Sequence, residues 1–273
     1  MSEPLTGHAR SGDALIPYDT MGEGRGVLFV HAGVTDRRMW DPQFTEVPDG
    51  FRFVRIDLRG YGSCELGVSP FSNHDDALAV LDHLHIDEAV VVGCSIGGGV
   101  AMDVALAAPD RVAGLVLIGT NSPGYEVERY EPPQWPDLVE AFEAGDFTRV
   151  AELDAEIWVV GHGRTLDDVD RQVFDLVVEM DRGAISTETR RVELTVPIHP
   201  PRADRMDEVF ERTLVVVGEH DQPDIKESAA HLAETLSHHE LVVIPGAAHL
   251  PPLENPLEFN RILFGFLRGF LQP

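Results

Sequence analysis

Gly93-Cys94-Ser95-Ile96-Gly97 is the stretch that decides the fold, and it stands between two runs of contrasting type. The apolar run Ala89–Val92 precedes it, and the small-residue run Gly99–Ala108 follows it. A G-x-S-x-G pentapeptide between a strand and a helix predicts a sharp turn, in which the glycines leave room for a serine in a strained conformation. The helix behind the turn directs backbone N–H groups and its positive dipole end toward the same point. We therefore predict that Ser95 is a nucleophile at the edge of a sheet.

The rest of the chain alternates short β-branched runs with longer helical patterns. This alternation is typical of the α/β class, in which a mostly parallel, twisted sheet carries helices on both faces. An early hairpin is expected around Ala14–Tyr18. Strands are predicted at Val27–His31, Arg52–Asp57, Ala89–Gly93, Val112–Ile118, Thr213–Gly218 and Glu240–Ile244, and helices at Asp36–Gln43, Asn73–Leu84, Ser95–Ala108, Ile225–Leu236 and Pro256–Leu271.

One interval, residues 123–207, breaks this alternation because it has no convincing buried strand and several amphipathic segments. Prolines bracket the interval, as expected where a chain leaves and re-enters a core. We predict a core of residues 1–122 and 208–273 with a helical cap of residues 123–207 over the carboxyl edge of the sheet, where open α/β sheets bind ligands. A purely structural helical layer is the alternative. Cap helices are predicted at Pro136–Ala144, Thr148–Val159, Leu166–Met180 and Ser186–Leu194.

Two further side chains follow predicted strands at the same edge. Asp221 comes directly after the apolar strand Thr213–Gly218, and His249 lies in a small-residue loop after the next strand. A serine hydroxyl needs a base within hydrogen-bond reach and a third group that orients the base. The order Ser95, Asp221, His249 is the order used by the α/β-hydrolase arrangement. The sequence therefore predicts His249 as the base and Asp221 as the orienting acid.

The first core strand ends in the small-residue loop His31–Val34, whose backbone N–H groups are candidates for stabilising a reaction intermediate. A tetrahedral intermediate needs two backbone N–H donors, one after the nucleophile and one from this loop. We predict that Gly33 and Ile96 supply these donors, with Val34 as the substitute for Gly33. His31 is interpreted as a structural residue that fixes the loop. A substrate pocket between core and cap is predicted from Val34, Trp40, Trp135, Trp158 and Leu250, although helix packing is an alternative role for most large side chains near it.

Composition limits the classes of partner. The 273 residues carry 21 Lys and Arg against 47 Asp and Glu, a formal net charge of −26. Such a field repels nucleic acid and anionic membrane surfaces, and no apolar run approaches the roughly 20 residues of a membrane helix. The first residues show neither a basic nor an apolar leader, so we expect a cytoplasmic protein. The chain has two cysteines, Cys64 and Cys94, so we expect no disulfide framework. The histidines lack metal-ligand spacing, so neither a metal nor another cofactor is expected. The oligomeric state is left open.

The chain resembles α/β-hydrolase fold proteins of the capped esterase, lactonase and C–C hydrolase branch. Besides the predicted nucleophile, acid and base, the resemblance rests on His31–Gly33, Met39–Asp41, Asp57–Ser63 and Pro245–Pro256, and it spans nearly the whole chain. The first loop and the length of the cap are also similar to those of 3-oxoadipate enol-lactonases. The family usually reads His-Gly where this chain has Ala32 after His31, a small departure that should leave the backbone donor in place.

These observations together predict a serine hydrolase that acts on a small carboxylic ester or lactone through an acyl-enzyme. One alternative is a C–C bond hydrolase of meta-cleavage-type diketones, but by resemblance those enzymes carry Trp where this chain has Leu250. Another is a ligand receptor on the same fold with residual hydrolysis, and a third is a catalytically silent structural protein. Cap arginines are candidates for holding a substrate carboxylate: Arg129, Arg164, Arg171, Arg182 and Arg190.

Overall fold

Strands from both halves of the chain join one eight-stranded sheet in the computed structural model, which describes residues 3–271. The strands in chain order are β1 (Leu5–Ser11), β2 (Ala14–Gly22), β3 (Gly24–Val30), β4 (Gly50–Ile56), β5 (Ala89–Cys94), β6 (Val112–Ile118), β7 (Arg212–Gly218) and β8 (His239–Ile244). Their order across the sheet is β1-β2-β4-β3-β5-β6-β7-β8.

The hairpin β1–β2 and the β2–β4 pair are antiparallel, and every other neighbouring pair is parallel. Every residue of β5 is buried. A parallel strand covered on both faces favours such a continuous apolar run. Because β3, β5, β6, β7 and β8 run in the same direction, their carboxyl ends meet at one edge of the sheet. The predicted mostly parallel α/β sheet is confirmed.

Helices cover both faces of this sheet. The helices are α1 (Asp41–Phe44), α2 (Asn73–His83), α3 (Ile96–Ala107), α4 (Trp135–Ala144), α5 (Phe147–Ala155), α6 (Arg171–Ile185), α7 (Glu188–Leu194), α8 (Pro223–Thr235), α9 (Pro251–Glu254) and α10 (Pro256–Arg268). On one face α2, α3 and α8 pack on the sheet through side chains such as Leu81, Met102 and Leu232. On the other face α1 and α10 pack through Phe44 and Phe259.

Most predicted helices differ from the structure by a few residues at their ends, and two differ in a way that has a clear local cause. In place of one helix over Asp36–Gln43, a 3₁₀ turn at Arg37–Trp40 is followed by the short α1. Pro42 lies in the first turn of α1, and its missing N–H prevents one continuous helix. In place of a helix over Leu166–Met180, α6 begins at Arg171 because the Asp170 carboxylate caps it, accepting a hydrogen bond from the Gln172 amide at 2.8 Å.

Helices α4 to α7 lie between β6 and β7, in the part of the chain that we call the β6–β7 segment (residues 119–211). Helices α4, α5 and α6 enclose a small apolar cluster that includes Ala151, Leu153 and Ile185. The segment is attached to the rest of the chain near Phe71, whose amide donates to the Leu194 carbonyl at 3.0 Å. No helix within residues 3–271 is both long and apolar enough to cross a membrane.

Candidate active site

Ser95 occupies the turn between β5 and α3 with a left-handed backbone conformation, φ 54° and ψ −114°. This conformation is strained for a residue with a side chain. Both flanking glycines are required by close backbone approaches. A Cβ on Gly93 would lie 2.1 Å from the Gly97 carbonyl oxygen, and a Cβ on Gly97 would lie 2.2 Å from the Val30 carbonyl oxygen. The pentapeptide therefore forms the sharp turn that the sequence predicts, with Ser95 bordering a cavity.

His249 and Asp221 form a buried hydrogen-bonded pair at the same edge of the sheet. The Nδ1 atom of His249 lies 3.0 Å from each carboxylate oxygen of Asp221. The Gln222 amide donates to Asp221 Oδ1 at 2.8 Å, which fixes the carboxylate further. Burial acts to lower the pKa of His249, but the Asp221 charge and hydrogen bond outweigh it, so the pKa of His249 is raised. Because Nδ1 faces Asp221, the proton on that nitrogen leaves Nε2 as the basic atom of the neutral ring.

The loop that carries His249 is held by Glu254, a residue that the sequence interpretation missed. The amides of Ala248 and Leu250 donate to the two carboxylate oxygens of Glu254 at 2.8 and 2.9 Å. Arg164, from the β6–β7 segment, pairs with the same carboxylate at 2.9 Å. Both charged side chains are largely buried. The available signal was an acidic residue within the otherwise apolar and proline-rich stretch Leu250–Leu257.

Gly119, directly after β6, is a second residue that was missed. Its φ is +54°, and a Cβ there would lie 2.9 Å from the Cε1 and Nδ1 atoms of His249 and 3.3 Å from Asp221 Oδ2. A side chain at this position would therefore collide with the imidazole. In the sequence the only signal is a glycine at the end of a predicted strand.

Ser95 and His249 border a common cavity of about 300 Å³ beneath the β6–β7 segment. Val34, Trp135 and Trp158, three of the predicted pocket residues, line this cavity. The Trp158 ring also lies 4.5 Å from the His249 ring, and its carbonyl accepts a hydrogen bond from the His249 amide at 3.1 Å. The remaining lining residues are Gly33, Tyr61, Ile96, Arg129, Asp154, Asp181, Ile185, Glu188 and Arg191.

The other two predicted pocket residues, Trp40 and Leu250, are not among the described residues that line this cavity, so that prediction is wrong for them. Both side chains are fully buried in the apolar core. The Trp40 ring packs on the Phe29 ring at 5.1 Å. Leu250 precedes α9 and turns inward with it, because its amide is held by Glu254. At these two positions the apolar side chains stabilise the core. The periodicity of apolar residues in the sequence does not distinguish a core position from a position in a pocket wall.

Gly33 and Ile96 lie beside each other at the cavity wall, next to Ser95. A Cβ built on Gly33 would be 3.7 Å from the side chain of Ile96. Ile96 is the first residue of α3, so its N–H has no acceptor within its own helix. The two residues predicted as oxyanion donors are therefore brought together at the nucleophile turn.

Two polar side chains close to the turn have packing roles. The buried ring of His31 bridges the first loop and the strand-end loop after β4, with Nδ1 2.7 Å from the Ala32 carbonyl and Nε2 accepting from the Leu58 amide at 3.0 Å. Burial lowers the pKa of His31 despite the nearby Asp57 charge. Cys94 is buried within 3.6 Å of the His249 carbonyl oxygen, and burial raises the pKa of its thiol. Neither side chain lines the cavity beside Ser95.

The segment arginines differ in availability. Arg164 is committed to Glu254, and Arg171 pairs with Asp175 at 2.8 Å. Arg129 borders the cavity, and its guanidinium lies 5.3 Å from the centre of the Trp135 ring. Arg191, which was not considered from the sequence, also borders the cavity. Within residues 3–271, no group of three or more His, Cys, Asp or Glu side chains is arranged to hold a metal ion.

Comparison with known proteins identifies the family of this chain. A family profile described as "Alpha/beta hydrolase family" matches residues 27–262. The chain belongs to this family. The family resemblance predicted from the sequence is thereby confirmed.

The similar proteins include esterases and lactonases. A pimeloyl-[acyl-carrier protein] methyl ester esterase of Nitrosospira multiformis is 23% identical over 94% of this chain and 100% of its own length. The 3-oxoadipate enol-lactonase 2 of Acinetobacter baylyi is 24% identical over 94% of this chain and 95% of its own. A solved structure described as an N-acyl homoserine lactone degrading enzyme is 28% identical, with a TM-score of 0.74, over 95% of this chain and 100% of that one. The names of these relatives support an enzyme that hydrolyses carboxylic esters.

Proposed function

We propose that this protein is a serine hydrolase that cleaves a small carboxylic ester or lactone through an acyl-enzyme on Ser95. The observation that carries the proposal is a buried His249–Asp221 pair opening on the same cavity as a strained Ser95. The esterase and lactonase relatives favour acyl transfer from oxygen over other reactions of the family. Small-molecule substrates fit a cavity of about 300 Å³.

In the first half of the proposed reaction, Ser95 Oγ attacks the substrate carbonyl carbon while His249 Nε2 takes the hydroxyl proton. The backbone N–H groups of Gly33 and Ile96 bind the oxyanion as it forms. The C–O bond to the leaving group then breaks, and His249 gives its proton to the departing oxygen. The product is an acyl ester on Ser95, while Asp221 keeps the ring orientation and stabilises the imidazolium.

In the second half, a water molecule attacks the acyl carbon and His249 takes one of its protons. The bond between the carbon and Ser95 Oγ breaks, and the proton returns to that oxygen as the carboxylic acid leaves. For a lactone the alcohol and the acid belong to one open-chain product. Residues 123–207 act as the cap in this proposal, since their side chains, among them Trp135 and Trp158, supply one wall of the cavity.

Steady-state hydrolysis of p-nitrophenyl butanoate tests the proposal. We expect multiple turnovers by the wild-type protein and a loss of at least about 10³-fold in kcat for Ser95→Ala. Ser237→Ala, at an exposed position, is the matched control and should keep wild-type rates. Undiminished turnover by Ser95→Ala would overturn the proposed nucleophile, and a single turnover by the wild type would favour a receptor.

A further inference from the structure

Two carboxylic side chains of the β6–β7 segment border the cavity that contains Ser95 and His249. Asp154 comes from α5 and Asp181 from the neighbouring α6. Both border the same cavity, and the charge of Asp154 lies close enough to raise the pKa of Asp181. Neither carboxyl group takes part in the proposed proton transfers, so the reaction at Ser95 does not account for their position at the cavity.

Asp181 is placed where an ordinary packing residue would be apolar. It shares one face of α6 with Val177 and Ala184, at spacings of four and three residues, and both neighbours are buried. Only 3% of Asp181 is exposed, and its Oδ2 atom receives no hydrogen bond from any donor group in residues 3–271. A buried acceptor without a donor is costly, so the presence of one at the cavity wall calls for a specific explanation.

No cationic side chain of the described residues neutralises the charge of this pair. Among the described residues, no Lys, Arg or His forms an ion pair with Asp154 or Asp181. Arg191 borders the same cavity, but its guanidinium stacks 4.0 Å above the Tyr61 ring and donates to the Ala184 carbonyl and the Thr187 hydroxyl. Glu188, at the same wall, adds a further negative charge.

The two carboxyl groups therefore hold one proton between them over a range of neutral pH. Burial raises the pKa of Asp181, and the adjacent Asp154 raises it further; burial also raises the pKa of Asp154. Two carboxylates in contact cannot both ionise easily, and the proton that they share leaves the pair with a single negative charge and open acceptor positions. Such a pair attracts O–H and N–H groups and repels a second carboxylate.

We propose that Asp154 and Asp181 determine substrate specificity, by accepting a hydrogen bond from a hydroxyl or amide N–H group of an uncharged ester or lactone and by disfavouring substrates that carry a carboxylate at this end. The inference rests on the proposed hydrolysis at Ser95, because the aspartates select among substrates for that reaction. It assigns the specificity of the β6–β7 segment to one contact between α5 and α6.

A set of three p-nitrophenyl esters tests this inference: the butanoate, the 3-hydroxybutanoate and the hemisuccinate. Their acyl groups are of similar size. The butanoate ends in a methyl group, the 3-hydroxybutanoate carries a hydroxyl donor, and the hemisuccinate ends in a carboxylate. We expect the wild-type kcat/KM to be highest for the hydroxy ester and lowest for the hemisuccinate. For each variant, the kcat/KM of an ester is divided by the kcat/KM of the butanoate for the same variant, so that a general loss of activity cancels.

Asp181→Leu removes both the charge and the acceptor, whereas Asp181→Asn removes the charge and keeps an acceptor oxygen. Relative to butanoate, we expect both variants to raise kcat/KM for the hemisuccinate by about tenfold, the factor for 1.4 kcal/mol. Only Asp181→Leu should lose the preference for the hydroxy ester, mainly through a higher KM. Asp175→Asn, at an exposed position on the same helix, is the matched control and should keep all wild-type ratios.

Hydrolysis of the butanoate and its loss in Ser95→Ala establish the proposed function independently of these ratios. The specificity inference is overturned if the wild type prefers the hemisuccinate. In that case Arg129 and Arg191, and not the aspartates, would determine which substrates bind in the cavity. It is also overturned if the ratios of Asp181→Leu and Asp181→Asn stay within about twofold of wild type while both variants remain folded by circular dichroism.

Discussion

Buried carboxylates at the carboxyl edge of the sheet have fixed partners, whereas those in the β6–β7 segment do not. At the sheet edge, Asp221 faces His249, and Glu254 receives two amides and Arg164. In the segment, Asp154 and Asp181 border one cavity, and no Lys, Arg or His of the described residues forms an ion pair with either. A fully partnered charge stays in one geometry and one protonation state, as proton transfer requires, whereas open acceptors remain available to a substrate. In our proposals, the edge of the sheet therefore carries out the proton transfers, and the β6–β7 segment selects the substrate.

The largest expected effect comes from removing the charge at the sheet edge. Asp221→Asn should lower kcat by about 10⁴-fold, because an amide leaves the imidazole in the wrong tautomer. Asp221 raises the pKa of His249, so the wild-type kcat/KM should rise with pH around a midpoint above the ordinary imidazole value of about 6.5. The variant's midpoint should move to lower pH. A pH–rate profile of both proteins checks this, and an unchanged midpoint would contradict the role of Asp221.

Breaking the Glu254 cluster should have the next largest effect, this time on stability. Glu254→Ala leaves Arg164 and two amides without their buried acceptor, and we expect the free energy of unfolding to fall by about 3–5 kcal/mol. Urea denaturation measures this change. Glu240→Ala removes an exposed ion pair with Arg212 and should cost less than about 1 kcal/mol. Equal losses in the two variants would show that burial at the His249 loop adds nothing.

A methyl group on Gly119 should damage the site through a collision with His249. We expect Gly119→Ala to reduce kcat by about 10–100-fold, since displacement of a reacting group by about 1 Å has an effect of this size. Gly163→Ala is the matched control, because Gly163 also has a positive φ, +76°, but nothing within 4 Å of the added Cβ. Both variants carry the backbone strain, and only the first should lose activity. If kcat fell alike in both, strain and not contact would be the cause.

The smallest expected effect concerns the stability of the segment. The raised pKa of Asp181 means that the folded protein keeps a proton which the unfolded chain releases above about pH 4. The free energy of unfolding that this bound proton contributes to the wild type is therefore lost as the pH rises from about 4 toward the raised pKa of Asp181. The charged groups that surround Asp181 in the folded protein are Asp154, Glu188 and Arg191. Asp181→Asn does not titrate, so its Tm relative to wild type should increase by at least about 2 °C between pH 5 and pH 8.

Thermal unfolding at the two pH values measures this difference. Asp175→Asn, whose parent side chain is exposed and paired with Arg171, should show no change in relative Tm with pH. A constant difference for Asp181→Asn would mean that its carboxyl group ionises as freely in the folded protein as in the unfolded chain.

The fold and the positions of the proposed reacting residues were predictable because they depend on local patterns. Strand β6 was predicted to the residue, and β5, β7 and β8 to within one residue at one end, since a parallel strand is an apolar run bounded by turn signals. The pentapeptide around Ser95 requires two glycines at fixed offsets, and each is explained by a backbone contact of about 2 Å. Asp221 and His249 were identified because parallel strands bring their carboxyl ends to one edge.

The residues that were missed depend on contacts between distant parts of the chain. Glu254 matters because Arg164 approaches it across 90 residues of sequence, and Gly119 matters because His249 lies against it. Trp40 and Leu250 were assigned to the pocket because an apolar side chain has the same pattern in a core and in a cavity wall. Asp154 and Asp181 were not singled out from the sequence, because only the packing of α5 on α6 brings both to the cavity.

The sequence by itself determined the sheet, the turn at Ser95 and the order of the three predicted reacting groups, because periodicity and glycine sterics act over a few residues. Only the tertiary structure decided which side chains surround Ser95 and which carboxylates lack partners. Those properties arise from the distance between segments remote in the chain, and burial then sets the cost of each charge. The physical reason is that hydrogen bonding and pKa depend on neighbours in space, which a linear pattern does not specify.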